Sequence, residues 1–120
     1  MRMLLDQNAP RGLRDHLPGH TIFSARQMGW DVLENGDLIA AAEAEGFDVL
    51  ITSDQNIRYQ QNLSGRRIAL VVLDTNHWDV IRQKIDKMRD AVGSAVTGAY
   101  IALAFDRPRL VRRPYSSSED

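Results

Sequence analysis

Two stretches, DVLIT at 48–52 and IALVVL at 68–73, are apolar almost without interruption. A strand with one face in water alternates apolar and polar residues, whereas a strand covered on both faces has no need to. The runs are also shorter than an ordinary helix and rich in β-branched residues. They predict strands inside a parallel sheet, and such a sheet needs helices on both of its faces.

The remaining segments supply the alternation that such a sheet requires. Residues 3–5 form a short apolar run that ends at Asp6. Pro10 then suits the first turn of a helix through about Leu17, which Pro18-Gly19 stops. Residues 21–23 read as a second strand, followed by a short helix or turn that reaches Gly29-Trp30. An alanine-rich helix is expected from Asn35-Gly36-Asp37 to Gly46. Residues 55–67 read as a polar loop with at most one helical turn. Asn76 is placed to cap a helix with Asp79 in its first turn, and Trp78, Ile81, Ile85, Met88 and Val92 recur at helical spacing. Residues 99–105 read as the last strand. The order of elements predicts an α/β fold, a three-layer α/β/α sandwich with a mainly parallel central sheet.

At 120 residues, 43% apolar and 26% charged, the chain fits one domain with a real core. That domain is expected over 1–115, with a disordered polar tail at 116–120. The absence of cysteine excludes a disulfide framework and a thiolate metal site. The N-terminus lacks the pattern of a secretory signal, and no apolar run approaches the roughly 20 residues of a membrane span. A soluble, cytoplasmic protein without a membrane partner is expected. A net charge of -1 argues against wholesale non-specific binding to nucleic acid. Arg107, Arg109, Arg112 and Arg113 in RPRLVRRP are a local exception, read either as a contact for RNA or an acidic partner, or as a charged sheet edge.

The apolar runs of LLDQN at 4–8 and ITSDQN at 51–56 both end in an aspartate followed by Gln-Asn. An acid at the carboxyl end of a buried strand lies at the rim of the sheet, where α/β proteins form their sites. Asp6 and Asp54 can meet there, and Asp37 can join them if its helix starts on the same side. Clustered carboxylates repel one another unless they share a proton or a divalent cation. An oxygen-rich set without cysteine or histidine suits Mg²⁺ or Mn²⁺. The three histidines, His16, His20 and His77, have no metal-ligand spacing. Metal-dependent hydrolysis of a nucleic acid is the activity that such a cluster serves.

MRMLLDQNAPRGL, together with GWDVLENGDLIAAAEAEGFDVLITSDQNIRYQQNLSGRRIALVVL, resembles the PIN-like domains, specifically the short bacterial PIN-like proteins associated with toxin ribonucleases of toxin–antitoxin pairs. The resemblance implies an acidic metal pocket that cuts RNA, an antitoxin protein as partner, and a possible homodimer. It places the catalytic, metal-holding acids at Asp6, Asp37 and Asp54. Asp74 is a fourth metal ligand by topology, and Asp31 competes weakly with Asp37. Asn8 and Asn56 are neutral oxygen donors toward substrate. Arg58 and Tyr59 are positioned to meet a phosphate and a base, and Arg11, with Arg66 and Arg67, to guide the backbone. Such proteins often carry Leu-Asp-Glu-Asn after the first strand, and here Gln7 replaces the glutamate. Gln7 motivates an alternative, a catalytically weak or inactive module that binds RNA or a protein. A phospho-acceptor receiver domain ranks behind both, since it expects a paired acid after the first strand and a late lysine, and no lysine follows Lys87.

Overall fold

The computed structural model describes residues 1–55, 57 and 65–105. Five strands run through it: β1 (Arg2–Leu5), β2 (Thr21–Ser24), β3 (Val49–Thr52), β4 (Ala69–Leu73) and β5 (Tyr100–Leu103). They form one sheet in the order β2-β1-β3-β4-β5, and every neighbouring pair is parallel. Every residue of β3 and β4 is buried, as their unbroken apolar sequences require.

Helices cover both faces. On one, Met3, Leu5, Val49, Ile51, Val71 and Leu73 pack with the 3₁₀ helix Arg11–Asp15 and with helices α2 (Trp78–Arg82) and α3 (Ile85–Ser94). On the other, Leu4, Leu50, Leu70 and Val72 meet Leu38, Ile39 and Ala42 of α1 (Asn35–Ala44). The three-layer α/β arrangement follows directly.

The β1-to-β2 and β4-to-β5 connections cross the sheet in opposite directions yet lie on the same face, so their hands are opposite. The β2-to-β3 connection, through α1 on the other face, shares the hand of the first. Crossovers within one sheet nearly always share a hand, which makes the β4-to-β5 path the departure. One consequence is contact between the helical segments of the two same-face connections. The Trp78 indole of α2 lies over Gly12 of the 3₁₀ helix, where an added Cβ would stand 2.4 Å from the ring. Its centroid is 5.0 Å from that of His16 in an edge-on contact.

Three expectations of local structure need correction. The helix predicted from Pro10 to Leu17 is the shorter 3₁₀ helix Arg11–Asp15, with Pro10 at its N-cap. The continuous helix predicted beyond Asn76 is divided into α2 and α3, with Lys84 at the junction in a non-helical conformation (φ -129°, ψ 39°). The two pieces keep their apolar residues on the sheet because Ile81 precedes the break and Met88 follows it. Asn76 is not the cap either: His77 occupies that position, and its N–H is accepted by Thr75 Oγ1 at 3.1 Å. The basic segment 107–115, the tail 116–120, and most of the 55–67 loop lie outside the described residues.

Candidate functional site

All five strands end at one edge of the sheet, and the strand order reverses between β1 and β3. Ligand sites in open α/β sheets form beyond such a reversal. Asp6 directly follows β1 and Asp54 lies just past β3, so both acids stand at this point. Thr52, the last residue of β3 and fully buried, joins them. Its Oγ1 donates to Asp6 Oδ2 at 2.8 Å and accepts the Asp54 N–H at 3.1 Å. One hydroxyl can do both, since it carries one proton and two lone pairs. Asn8 Oδ1 lies farther from the same hydroxyl, at 3.2 Å, and the shorter contact to the charged oxygen is the stronger claim on the proton.

Further bonds orient the two carboxylates. Asp6 Oδ1 accepts the Gln7 N–H at 2.8 Å, and the Asp6 N–H donates to the Ile51 carbonyl at 2.9 Å. Asn35 Nδ2, in the first residue of α1, donates to Asp54 Oδ2 at 2.6 Å. The amino end of α1 therefore meets the same edge. Asp37 is exposed in the first turn of that helix, and its side chain forms no hydrogen bond or ion pair among the described residues.

The other predicted site residues have distinct placements. Asp74 follows β4 at the same edge, but its Oδ1 accepts the Phe105 N–H at 3.0 Å, which ties the end of β4 to the chain leaving β5. Asn8 Oδ1 accepts the Ser53 N–H at 2.9 Å and so shapes the turn after β3. Gln7 turns its amide to the Asp31 carbonyl, with Nε2 donating at 2.6 Å. Arg11 lines a cleft beside Asp6. Arg66 and Arg67 correct the expectation of a backbone guide at the rim: they precede β4, at the opposite edge, and Arg66 pairs with Glu43 at 3.0 Å. Asn56, Arg58 and Tyr59 lie outside the described residues.

Among the described residues, no group of three or more His, Asp or Glu side chains is arranged to hold a metal ion. What they present is two aspartates linked by one hydroxyl, which bonds the carboxylate of Asp6 and the main-chain N–H of Asp54. The donors of this pair are oxygens, and Asp6 has no cationic partner among the described residues. That chemistry fits a hard divalent cation, since Mg²⁺ is commonly held by one or two carboxylates and keeps several waters.

Sequence reasoning passed over Thr52, Asn35, Arg14 and Arg26. Thr52 has a usable signal, a hydroxyl closing an apolar strand two residues before an acid. Asn35 opens its helix as many capping residues do, and nothing local reveals that it reaches Asp54. Arg14 and Arg26 line the cleft beside Asp6, but they lie on different elements and only the fold brings them together. No helix among the described residues is long and apolar enough to cross a membrane. Compared with protein-family models, with curated proteins and with solved structures, the chain matches none, and its architecture is that of an α/β protein built on a five-stranded, all-parallel sheet.

Proposed function

We propose that this protein is a Mg²⁺- or Mn²⁺-dependent ribonuclease of the PIN-like kind. The observation that carries the reading is the pairing of Asp6 and Asp54 through Thr52 at the point where the strand order reverses. The likeness of LLDQNAPRGL, NGDLI and ITSDQN to PIN-like sequences supports it, since each contributes a segment to the same edge.

Asp6 and Asp54 would hold the cation, with Asp37 approaching from the start of α1 and Asp74 as a supplementary acid. When bound, the cation supplies Lewis acidity toward water and toward the phosphate oxygens. Thr52 directs one oxygen of Asp6 with its proton and holds the backbone of Asp54 with its oxygen, while Asn35 orients the Asp54 carboxylate. Hydrolysis forms a bond from the water oxygen to phosphorus and breaks one P–O ester bond. Water loses a proton in the process and the leaving oxygen gains one. As the toxin of a toxin–antitoxin pair, the protein would be restrained by an antitoxin, and it could form a homodimer.

The test is cleavage of single-stranded RNA by purified protein with and without Mn²⁺, beside Asp54→Asn prepared identically. Cutting that needs Mn²⁺ and disappears in Asp54→Asn is expected. Among the described residues no third acid joins the pair in an arrangement that could hold a metal, which favours a second reading, a non-catalytic module that binds RNA or a protein. Equal inertness of both proteins, with no cation binding by calorimetry, supports that module instead.

A further inference from the structure

A cleft of about 230 Å³ opens beside Asp6, beyond the ends of β1 and β2. Arg11, Arg14 and Arg26 line it together with Asp6, Gln7 and Gln27. Arg11 and Arg14 are three residues apart on a 3₁₀ helix, where such side chains eclipse and share a face. Arg26 comes from the turn after β2. All three arginines are exposed, and among the described residues none has an ion pair or a side-chain hydrogen bond. Three arginines elsewhere are ion-paired: Arg66 with Glu43, Arg82 with Asp79 and Arg89 with Asp86.

Asp6 does not match the three. It is one carboxylate among three cations, and its two oxygens already accept from the Gln7 N–H and from Thr52. The lining therefore carries an excess of positive charge, as an anion site does. Guanidinium groups favour phosphate through planar, paired N–H donors. The volume is below the roughly 300 Å³ at which sites for drug-sized ligands begin, and suits a phosphate group better than a whole dinucleotide.

We propose that this cleft is a phosphate-binding subsite formed by Arg11, Arg14 and Arg26. It stands on the β2 side of Asp6, while Asp54 stands on the β3 side. A strand held there by one phosphate presents a neighbouring phosphodiester to the acid pair; assigning the phosphate to an RNA strand rests on the ribonuclease reading.

Binding is measured in EDTA, so that no cutting intrudes, by fluorescence anisotropy of a labelled single-stranded RNA over a range of salt. The double variant Arg14→Gln/Arg26→Gln is expected to bind at least tenfold more weakly. Its slope of log affinity against log salt should be shallower by about 0.7, the value for one lost phosphate contact on a single strand. Thermal denaturation checks that these exposed substitutions leave the fold intact. Unchanged affinity and slope in a folded double variant overturn the proposal. Inorganic phosphate and AMP are titrated against the same proteins. If either binds as tightly as RNA and is lost in the double variant, the subsite stands and its ligand is a free phosphate or mononucleotide. Failure of the ribonuclease reading is seen separately, as wild-type protein that binds through these arginines in EDTA yet does not cut with Mn²⁺.

Discussion

At the scale of single residues, the hydroxyl of Thr52 links the two acids of the site. It is buried, and it directs Asp6 while holding the backbone of Asp54. Thr52→Val keeps the shape but leaves the Asp54 N–H without this acceptor, at a cost of about 1–3 kcal/mol. The expected outcome is a lower urea midpoint with an unchanged slope, and cleavage reduced further than the unfolded fraction explains; Thr52→Ser restores both. Gln7 has a different task. Its Nε2 donates to the Asp31 carbonyl, and an ionised glutamate has no proton to offer there. Gln7→Glu should therefore lower stability by about 0.5–1.5 kcal/mol, read from the same denaturation curves. Asp6 and Asp54 stand out in the sequence because an acid ends an apolar run, whereas the signal of Thr52 is weaker, a hydroxyl closing a strand in which a β-branched residue is also expected. Gln7 looks like a lost ligand until its partner on a distant loop is known.

At the scale of elements, two contacts decide how the helices sit on the sheet. Gly12 admits the Trp78 indole between the 3₁₀ helix and α2, and a methyl group there would stand 2.4 Å from the ring. Gly12→Ala is expected to destabilise by about 1–3 kcal/mol through overpacking, with a change in tryptophan fluorescence as α2 shifts. On the other face, Glu43 fastens α1 to the chain entering β4. It accepts the Ile68 N–H at 3.0 Å and the Arg66 guanidinium at 3.0 Å, with the Arg67 N–H as a third donor. Burial raises the pKa of this carboxyl, but the Ile68 N–H, Arg66 and the Arg67 N–H together hold it below its ordinary value. A depressed folded pKa means the contribution is complete above the unfolded value and is lost as pH falls through the folded one. Glu43→Gln should be less stable than wild type at neutral pH, with the gap closing in acid below the ordinary glutamate range, as followed by urea denaturation at several pH values. The sheet is legible because β4 is apolar throughout and β3 is apolar up to Thr52. The break between α2 and α3 is not, since neither glycine nor proline marks it and the apolar spacing continues through it.

At the scale of the whole molecule, the fold brings two acids from distant parts of the chain to one edge of the sheet. Asp6 and Asp54 come from strands that are neighbours in the sheet but far apart in sequence, so their proximity belongs to the folded state alone. A cation that needs both carboxylates then binds the folded chain in preference to the unfolded one, and binding appears as stability. At a hundredfold excess over its dissociation constant the gain is about 2.7 kcal/mol. For a domain of this size that corresponds to a rise in Tm on the order of 10 °C. The prediction is a Tm that climbs with Mn²⁺ concentration in wild type and stays flat in Asp6→Asn and Asp54→Asn. Ca²⁺ and elevated NaCl serve as controls for general screening of surface charge. A wild-type Tm that ignores Mn²⁺, or one that climbs equally in both variants, would remove the acid pair as the cation's site. The arginine cleft beside it would stand untouched by that result, because its phosphate is held by charges that no metal supplies.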